Sequence, residues 1–202
     1  FGLFARYDAV NILKKNLANI VTSCSLDHLD WLPEGQRNIE KIVFSSSASV
    51  YGDAVEVPMT EEHPFNNRNF YGASKIACEA MCRAFYDRYE LDYVGLRYMN
   101  VYGPRQDYHG AYIAVIMKML DAIDKGESPI IYGTGSESFD FVNVKDCGRA
   151  NICAMKSEIS NGFYNVGTGV KTSLKQLAEK LCELAGSKKP ISYIENKNHM
   201  HF

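Results

Sequence analysis

From residue 41 onward, short runs of β-branched and aromatic residues alternate with longer stretches whose apolar residues recur at helical spacing. That rhythm constrains the chain to parallel strands joined by crossover helices. Residues 41–46 (KIVFSS) read as a buried strand. Residues 72–90 read as a helix with apolar or small residues at 76, 77, 80, 81, 84 and 85, a face to be pressed against a sheet or a partner helix. A strand follows at 93–98, a helix at 111–125 ending at Gly126, a short strand at 129–132, and a helix at 144–156 preceded by FDFVNV. Gly162 leads a strand, Gly167-Thr168-Gly169 turns the chain, and Thr172 or Ser173 caps a helix that closes at Gly186. Residues 191–194 form one further strand. Before residue 39, only 8–20 has helical spacing, and 23–38 read as irregular connection.

Composition removes several classes of function. The chain has 202 residues, 46% of them hydrophobic and 23% charged, which is the balance of a globular domain. Its net charge is −2, and no basic run exceeds the pairs Lys14-Lys15 and Lys188-Lys189, so neither a nucleic-acid footprint nor a membrane-surface anchor is expected. No apolar run is long enough to span a bilayer, and the first residues lack the pattern of a signal peptide. The six cysteines form no CxxC pair, so no metal site is expected and they read as reduced thiols of a cytoplasmic protein.

The candidate chemistry begins at Tyr71-Gly-Ala-Ser-Lys75. Four residues of helix put a phenol and an ammonium on one face, one above the other. The spacing alone carries little, because 13 tyrosines make about one such pair expected by chance, and Tyr193/Lys197 is another. Context separates the two. Tyr71 opens a strong helix downstream of a strand that ends in Ser45-Ser46-Ser47-Ala48-Ser49-Val50-Tyr51-Gly52. A serine cluster at the carboxyl end of a parallel strand stands where open α/β sheets place their ligands.

With SSSASVYG, YGASK, LRYMNVYGPRQ, IYGTGSESFDFVNVKD and FYNVGTG in this order, the chain resembles the extended short-chain dehydrogenase/reductase superfamily. Within it, the nucleotide-sugar 4-epimerases acting on UDP-glucose or UDP-N-acetylglucosamine are most similar. The resemblance covers about residues 39–195. It implies an α/β fold: the C-terminal part of a Rossmann-like parallel sheet with helices, plus most of a small α/β substrate-binding lobe. Residues 39–202 are then a partial catalytic domain, and 1–38 a poorly matching N-terminal segment.

The resemblance also assigns roles. Ser47, Tyr71 and Lys75 would be catalytic. NAD would be the cofactor, with Ser45, Ser46, Tyr71, Lys75, Tyr98 and Met99 around it. A UDP-sugar would meet Ser47, Tyr71, Asn100, Ala114, Val115 and Tyr132, with residues 110–115 facing uridine and Arg105 as a further anion contact. The helix carrying Tyr71 and Lys75 would join a homodimer. A tyrosine base must titrate near neutral pH, yet free tyrosine is about three units too weak an acid. Closing that gap takes about 4 kcal/mol, of which one ammonium at about 5 Å in an effective dielectric of about 20 supplies roughly 3. Related dehydratases and decarboxylases carry an acidic residue just before the Val-Tyr-Gly turn. Ala48 and Ser49 stand there, which favours plain epimerisation.

Two features depart from the pattern. Phe139 occupies the position of a diphosphate-binding arginine, removing a bidentate cation. No GxGxxG turn exists: the pairs Gly133/Gly135 and Gly167/Gly169 lack the third glycine, so no site for the dinucleotide pyrophosphate is expected within the chain. The second expectation, of a different class, is therefore an inactive fragment or a dimerisation module.

Overall fold

The computed structural model describes residues 40–106 and 114–195. Along the chain run β1 (Lys41–Ser47), a 3-10 turn (Ala48–Val50), α1 (Phe70–Tyr89), β2 (Asp92–Tyr98), β3 (Asn100–Tyr102), α2 (Val115–Asp124), β4 (Ile130–Tyr132), β5 (Ser138–Phe139), β6 (Phe141–Asn143), α3 (Val144–Lys156), β7 (Gly162–Val166), β8 (Thr172–Ser173), α4 (Leu174–Ala185) and β9 (Ser192–Ile194). The expected strands and helices fall close to where the sequence rhythm puts them, and β3, β5 and β8 are short strands beyond those expected. FDFVNV divides into two short strands around Asp140. The helix expected at 111–125 is described from Val115, and residues 111–113 lie outside the described residues. The 1–38 segment lies outside them as well.

The chain divides into two compact units. The first comprises residues up to Met99 together with Lys145–Val166. Its sheet is parallel throughout, in the order β1-β2-β7. Helices cover both faces, and that is why β1 and β2 are near-continuous apolar runs rather than alternating ones. Ile42, Phe44 and Tyr93 pack with Cys82 of α1, while Val43, Val94 and Leu96 pack with Ala154 of α3. Gly95 faces Phe163 across the β2–β7 register, where any side chain would overlap the phenyl ring.

The second unit comprises Asn100–Val144 and the residues from Gly167 onward. It is built from three two-stranded pairings, β3-β6 and β4-β9 parallel and β5-β8 antiparallel. Its core is one apolar cluster of Met119, Ile131, Leu174 and Ala178, with α2 and α4 contributing one stripe each. Ser173 closes a capping box with Gln176 at the start of α4, and Gly186 in the left-handed conformation ends it, as Ser/Gln spacing and a terminal glycine dictate.

Of the two partners expected for the apolar face of α1, a sheet or another helix, the sheet is not the one it meets. The apolar set at 76, 77, 80, 81, 84 and 85 does not cover the sheet: Ala77, Ala80, Met81 and Ala84 are exposed, and Ile76 and Phe85 are half-buried. The buried residues of this 20-residue helix are Gly72, Glu79 and Cys82. Helical periodicity marks an apolar stripe without saying what covers it.

Candidate active site

The site of the first unit is assembled at the carboxyl end of β1. Asn69 accepts from the Gly72 N–H at 2.8 Å and starts α1 two residues before the expected boundary. A Cβ on Gly72 would overlap the Ser49 carbonyl and the Asn67 amide, so only glycine lets the first turn of α1 approach the end of β1 this closely. Asn67 secures the approach by donating to the Ser49 carbonyl at 2.9 Å.

Tyr71 and Lys75 sit one turn apart on that helix. The Lys75 ammonium donates to the Ser45 carbonyl at 2.9 Å and lies 5.5 Å from the Tyr71 ring centroid and 5.3 Å from that of Phe44. Tyr71 is 56% exposed. Two residues beyond Ser45, Ser47 donates to the Ser49 hydroxyl at 3.1 Å and accepts from the Ser49 N–H at 3.2 Å, which orients its hydroxyl at the strand end.

Tyr98 ends β2 in register with Ser47. Its phenol accepts from Asn151 of α3 at 2.5 Å and also bonds Ser45. Burial raises its pKa against the lowering effect of those two bonds, so Tyr98 stays a neutral phenol. Met99 follows, its N–H donating to the Val166 carbonyl at 3.0 Å.

Ser46 is spent elsewhere. Its hydroxyl is buried and donates to Glu79 at 2.6 Å, so that side chain faces the helix interior and offers nothing to a bound ligand. Glu79 in turn holds Arg97 through two bonds, Nε to Oε1 at 2.9 Å and a second guanidinium nitrogen to Oε2 at 2.8 Å. Arg97 also donates to the Tyr51 phenol at 2.9 Å and the Glu61 carbonyl at 3.0 Å, and Tyr51 donates to Asn165 at 2.6 Å. Burial would lower the pKa of Arg97, but Glu79 and Tyr51 outweigh it and raise the value. For Tyr51, burial dominates and pushes the phenol up, against the pull of Arg97.

Ser46, Arg97 and Asn165 are one register row across β1, β2 and β7, one step before the row that contains Ser47 and Tyr98. Sequence reasoning missed Glu79, Arg97, Asn165 and Asn151. The one available signal was Arg97 itself, a charge inside an otherwise apolar strand, which requires a buried partner.

The other expected residues belong to the second unit, whose boundary falls between Met99 and Asn100. Asn100 opens β3, exposed, with its N–H on the Asp140 carbonyl at 2.9 Å. Ala114 precedes α2, Val115 packs against the apolar cluster, and Tyr132 ends β4 half-exposed. Residues 110–113 lie outside the described ones. Arg105 takes a positive φ of 68° beside Gly103. Phe139 is a packing residue on the same cluster, 6.0 Å from the Phe141 ring, and supplies no cation.

A family model described as the NAD dependent epimerase/dehydratase family matches residues 11–167. The chain belongs to this family. The family match reaches further back than the quoted motifs, into the 1–38 segment. A UDP-glucose 4-epimerase of Mycolicibacterium smegmatis is 35% identical over 150 residues, 74% of this chain and 48% of that protein. The solved UDP-N-acetylglucosamine 4-epimerase of Methanobrevibacter ruminantium, in complex with UDP-N-acetylmuramic acid, has a TM-score of 0.76 at 42% identity, covering 80% of this chain and 52% of that one. The UDP-glucose 4-epimerase of Thermotoga maritima with UDP-glucose also has a TM-score of 0.76, at 34% identity, covering 82% and 54%. The chain thus spans about half the length of the relatives it matches.

The donor set tells which end of a family dinucleotide these residues suit. An ammonium has three N–H donors, and Lys75 commits one to Ser45, leaving two for vicinal hydroxyls such as those of the nicotinamide ribose. The pyrophosphate end finds no equivalent among the described residues. The turn at Gly167-Thr168-Gly169 is already filled, since the Thr168 and Gly169 N–H groups and the Thr168 hydroxyl all donate to the Asp140 carboxylate at 2.6–2.9 Å. Among the described residues, no helix is long and apolar enough to cross a membrane, no cluster of three His, Cys, Asp or Glu could hold a metal, and no disulfide joins the cysteines.

Proposed function

We propose that the protein of which this chain is part is a UDP-hexose 4-epimerase working with NAD in the cytoplasm. The observation that supports this most directly is the pair Tyr71 and Lys75 on one helix face, tied through Lys75 to Ser45 at the end of the strand that also carries Ser47. Bound NAD supplies the hydride acceptor and donor. Tyr71, the exposed phenol, takes the proton from the sugar hydroxyl and returns it once the sugar has presented its other face. Lys75 places a positive charge 5.5 Å from the centroid of the Tyr71 ring and offers its two remaining donors to the ribose. Ser47 hydrogen-bonds the same sugar oxygen and holds it toward Tyr71. Ser45, Tyr98 and Met99 line the nicotinamide end. In the second unit, Asn100, Ala114, Val115 and Tyr132 contact the nucleotide sugar.

Ala48 and Ser49 carry no carboxylate, and the Ser49 hydroxyl is engaged by Ser47, so the acid or base that elimination or decarboxylation needs is missing from this turn. The test is product analysis of the intact protein with UDP-glucose and with UDP-N-acetylglucosamine. The C4 epimer should form without net consumption of NAD, and Tyr71→Phe should abolish turnover while folding persists. A 4-keto-6-deoxy product or released carbon dioxide would refute the assignment. The 202-residue chain alone should show no thermal shift with NAD+, where a ligand at a hundred times its dissociation constant would add about 2.7 kcal/mol.

The homodimer reading draws support from α1. Ala77, Ala80, Met81 and Ala84 form an exposed stripe of small and apolar residues between the half-buried Ile76 and Phe85, the composition of a helix face that packs closely against another helix. Met81→Glu should give a folded monomer in sedimentation or light scattering.

A further inference from the structure

We propose that Glu79 and Arg97 are positioning residues: their buried ion pair sets the rotation and axial place of α1 on the sheet, and thereby delivers Tyr71 and Lys75 to the Ser45–Ser47 strand end. The proposal rests on the catalytic reading of Tyr71 and Lys75 and extends it to two residues that touch neither substrate nor cofactor.

The first ground is the poverty of the helix's other anchors. Of its 20 residues α1 buries Gly72, Glu79 and Cys82. One of these has no side chain and another is a small thiol; the half-buried Cys78 and the ring contacts of Tyr86 with Tyr93 and Arg83 with Phe163 add non-directional packing that specifies rotation less sharply than a bidentate ion pair does. Glu79 is the long buried side chain, with 0% of it exposed against 4% for Arg97.

The second ground is geometry. A carboxylate gripped by a planar fork through two bonds accepts one orientation, and the Ser46 hydroxyl supplies a third bond from a different strand. The three partners lie on α1, β1 and β2, so the carboxylate fixes the helix against two strands at once. Buried ion pairs add little net stability compared with apolar groups of the same volume, whereas they are demanding about direction.

The third ground is placement. Glu79 stands one helical turn after Lys75 and two after Tyr71, on the same face. Ser46 directly precedes Ser47, and Arg97 directly precedes Tyr98. A slip of one turn at Glu79 would carry Lys75 about 5.4 Å along the helix axis and away from the Ser45 carbonyl. Arg97 also grips Tyr51 and the Glu61 carbonyl, so the same guanidinium anchors the segment that links Ser47 to Tyr71.

The decisive variant is the apolar double, Glu79→Leu with Arg97→Met, which removes both charges together and leaves neither stranded. In the intact protein it should fold with a melting temperature at or above the native one. Its kcat should fall about a hundredfold, the effect expected of a misplacement of about 1 Å, with KM for the nucleotide sugar changed less than about threefold. A folded double variant with native kcat overturns the proposal, because a merely structural pair would leave catalysis intact.

Should the double fail to fold, Arg97→Lys retains the charge and loses the fork. It should lower kcat about tenfold at little cost in melting temperature, and native kcat there is equally fatal. Proton exchange at the Lys75 ammonium, followed by 15N NMR, reads placement without turnover. Exchange should be slow in the native protein and fast in the double variant. Slow exchange in both rejects the positioning role even if no epimerisation is ever found, while fast exchange in the variant of an inactive protein rejects only the epimerase reading.

Discussion

The two units of the chain are held together by different physics. In the first, polar groups are buried inside the sheet: Ser46 and Arg97 form a row with the half-buried Asn165 across three strands, and Glu79 reaches down from α1 to close it. In the second, the interior is apolar, with Met119, Ile131, Leu174 and Ala178 in one cluster, and the polar bonds are local and near the surface, at the Asp140 turn and the α4 cap. Directional bonds between distant segments specify where a helix lies, and apolar contacts specify chiefly that it is buried. The unit that carries Tyr71 and Lys75 is the one whose helix bears a buried carboxylate bonded to two strands.

Substitutions ordered by expected cost test that contrast. Glu79→Ala leaves the Arg97 guanidinium buried with its carboxylate gone and should destabilise the chain by about 3–5 kcal/mol in urea unfolding. A loss below 1 kcal/mol would mean the pair is not what holds α1. Met119→Ala opens a cavity in the second unit and should cost about 2–4 kcal/mol. Its effect should stay within the second unit, so that hydrogen exchange of β1 and β2 is unchanged while that of α2 and α4 accelerates. Asp140→Ala removes the acceptor of the Thr168 and Gly169 N–H groups, and because the turn is exposed to water it should cost about 1.5 kcal/mol. Ser173→Ala breaks the capping box and should cost about 1 kcal/mol, detectable as lower helicity and fraying at the start of α4. If Met119→Ala proved costlier than Glu79→Ala, the buried ion pair would not be the strongest single contact of the chain, and the contrast between the units would narrow.

Much of this was legible in the amino-acid order. Strand and helix alternation, the span of α3, the cap of α4 at Ser173 and its end at Gly186 all follow from local propensity and periodicity. So does the shared face of Tyr71 and Lys75, because four residues of helix leave no other geometry. Three things were not legible. The apolar stripe of α1 reads as a face for a sheet or a partner helix alike, and it took the structure to show that the sheet side is Gly72, Glu79 and Cys82. Phe139, read as a lost phosphate contact, also packs half-buried against the apolar cluster of the second unit. Ser46, the neighbour of Ser47, turns to the opposite face of the strand and serves Glu79.

By itself, the sequence determined the main strands and helices, their order and the family, and it proposed the residues for the chemistry, since each depends on near neighbours or on motifs in line. The tertiary structure alone decided which side of α1 meets the sheet and that Glu79 on α1, 18 residues before Arg97, meets it on β2. Strand register and helix rotation are settled by bonds between segments far apart in the chain, and no local spacing encodes them.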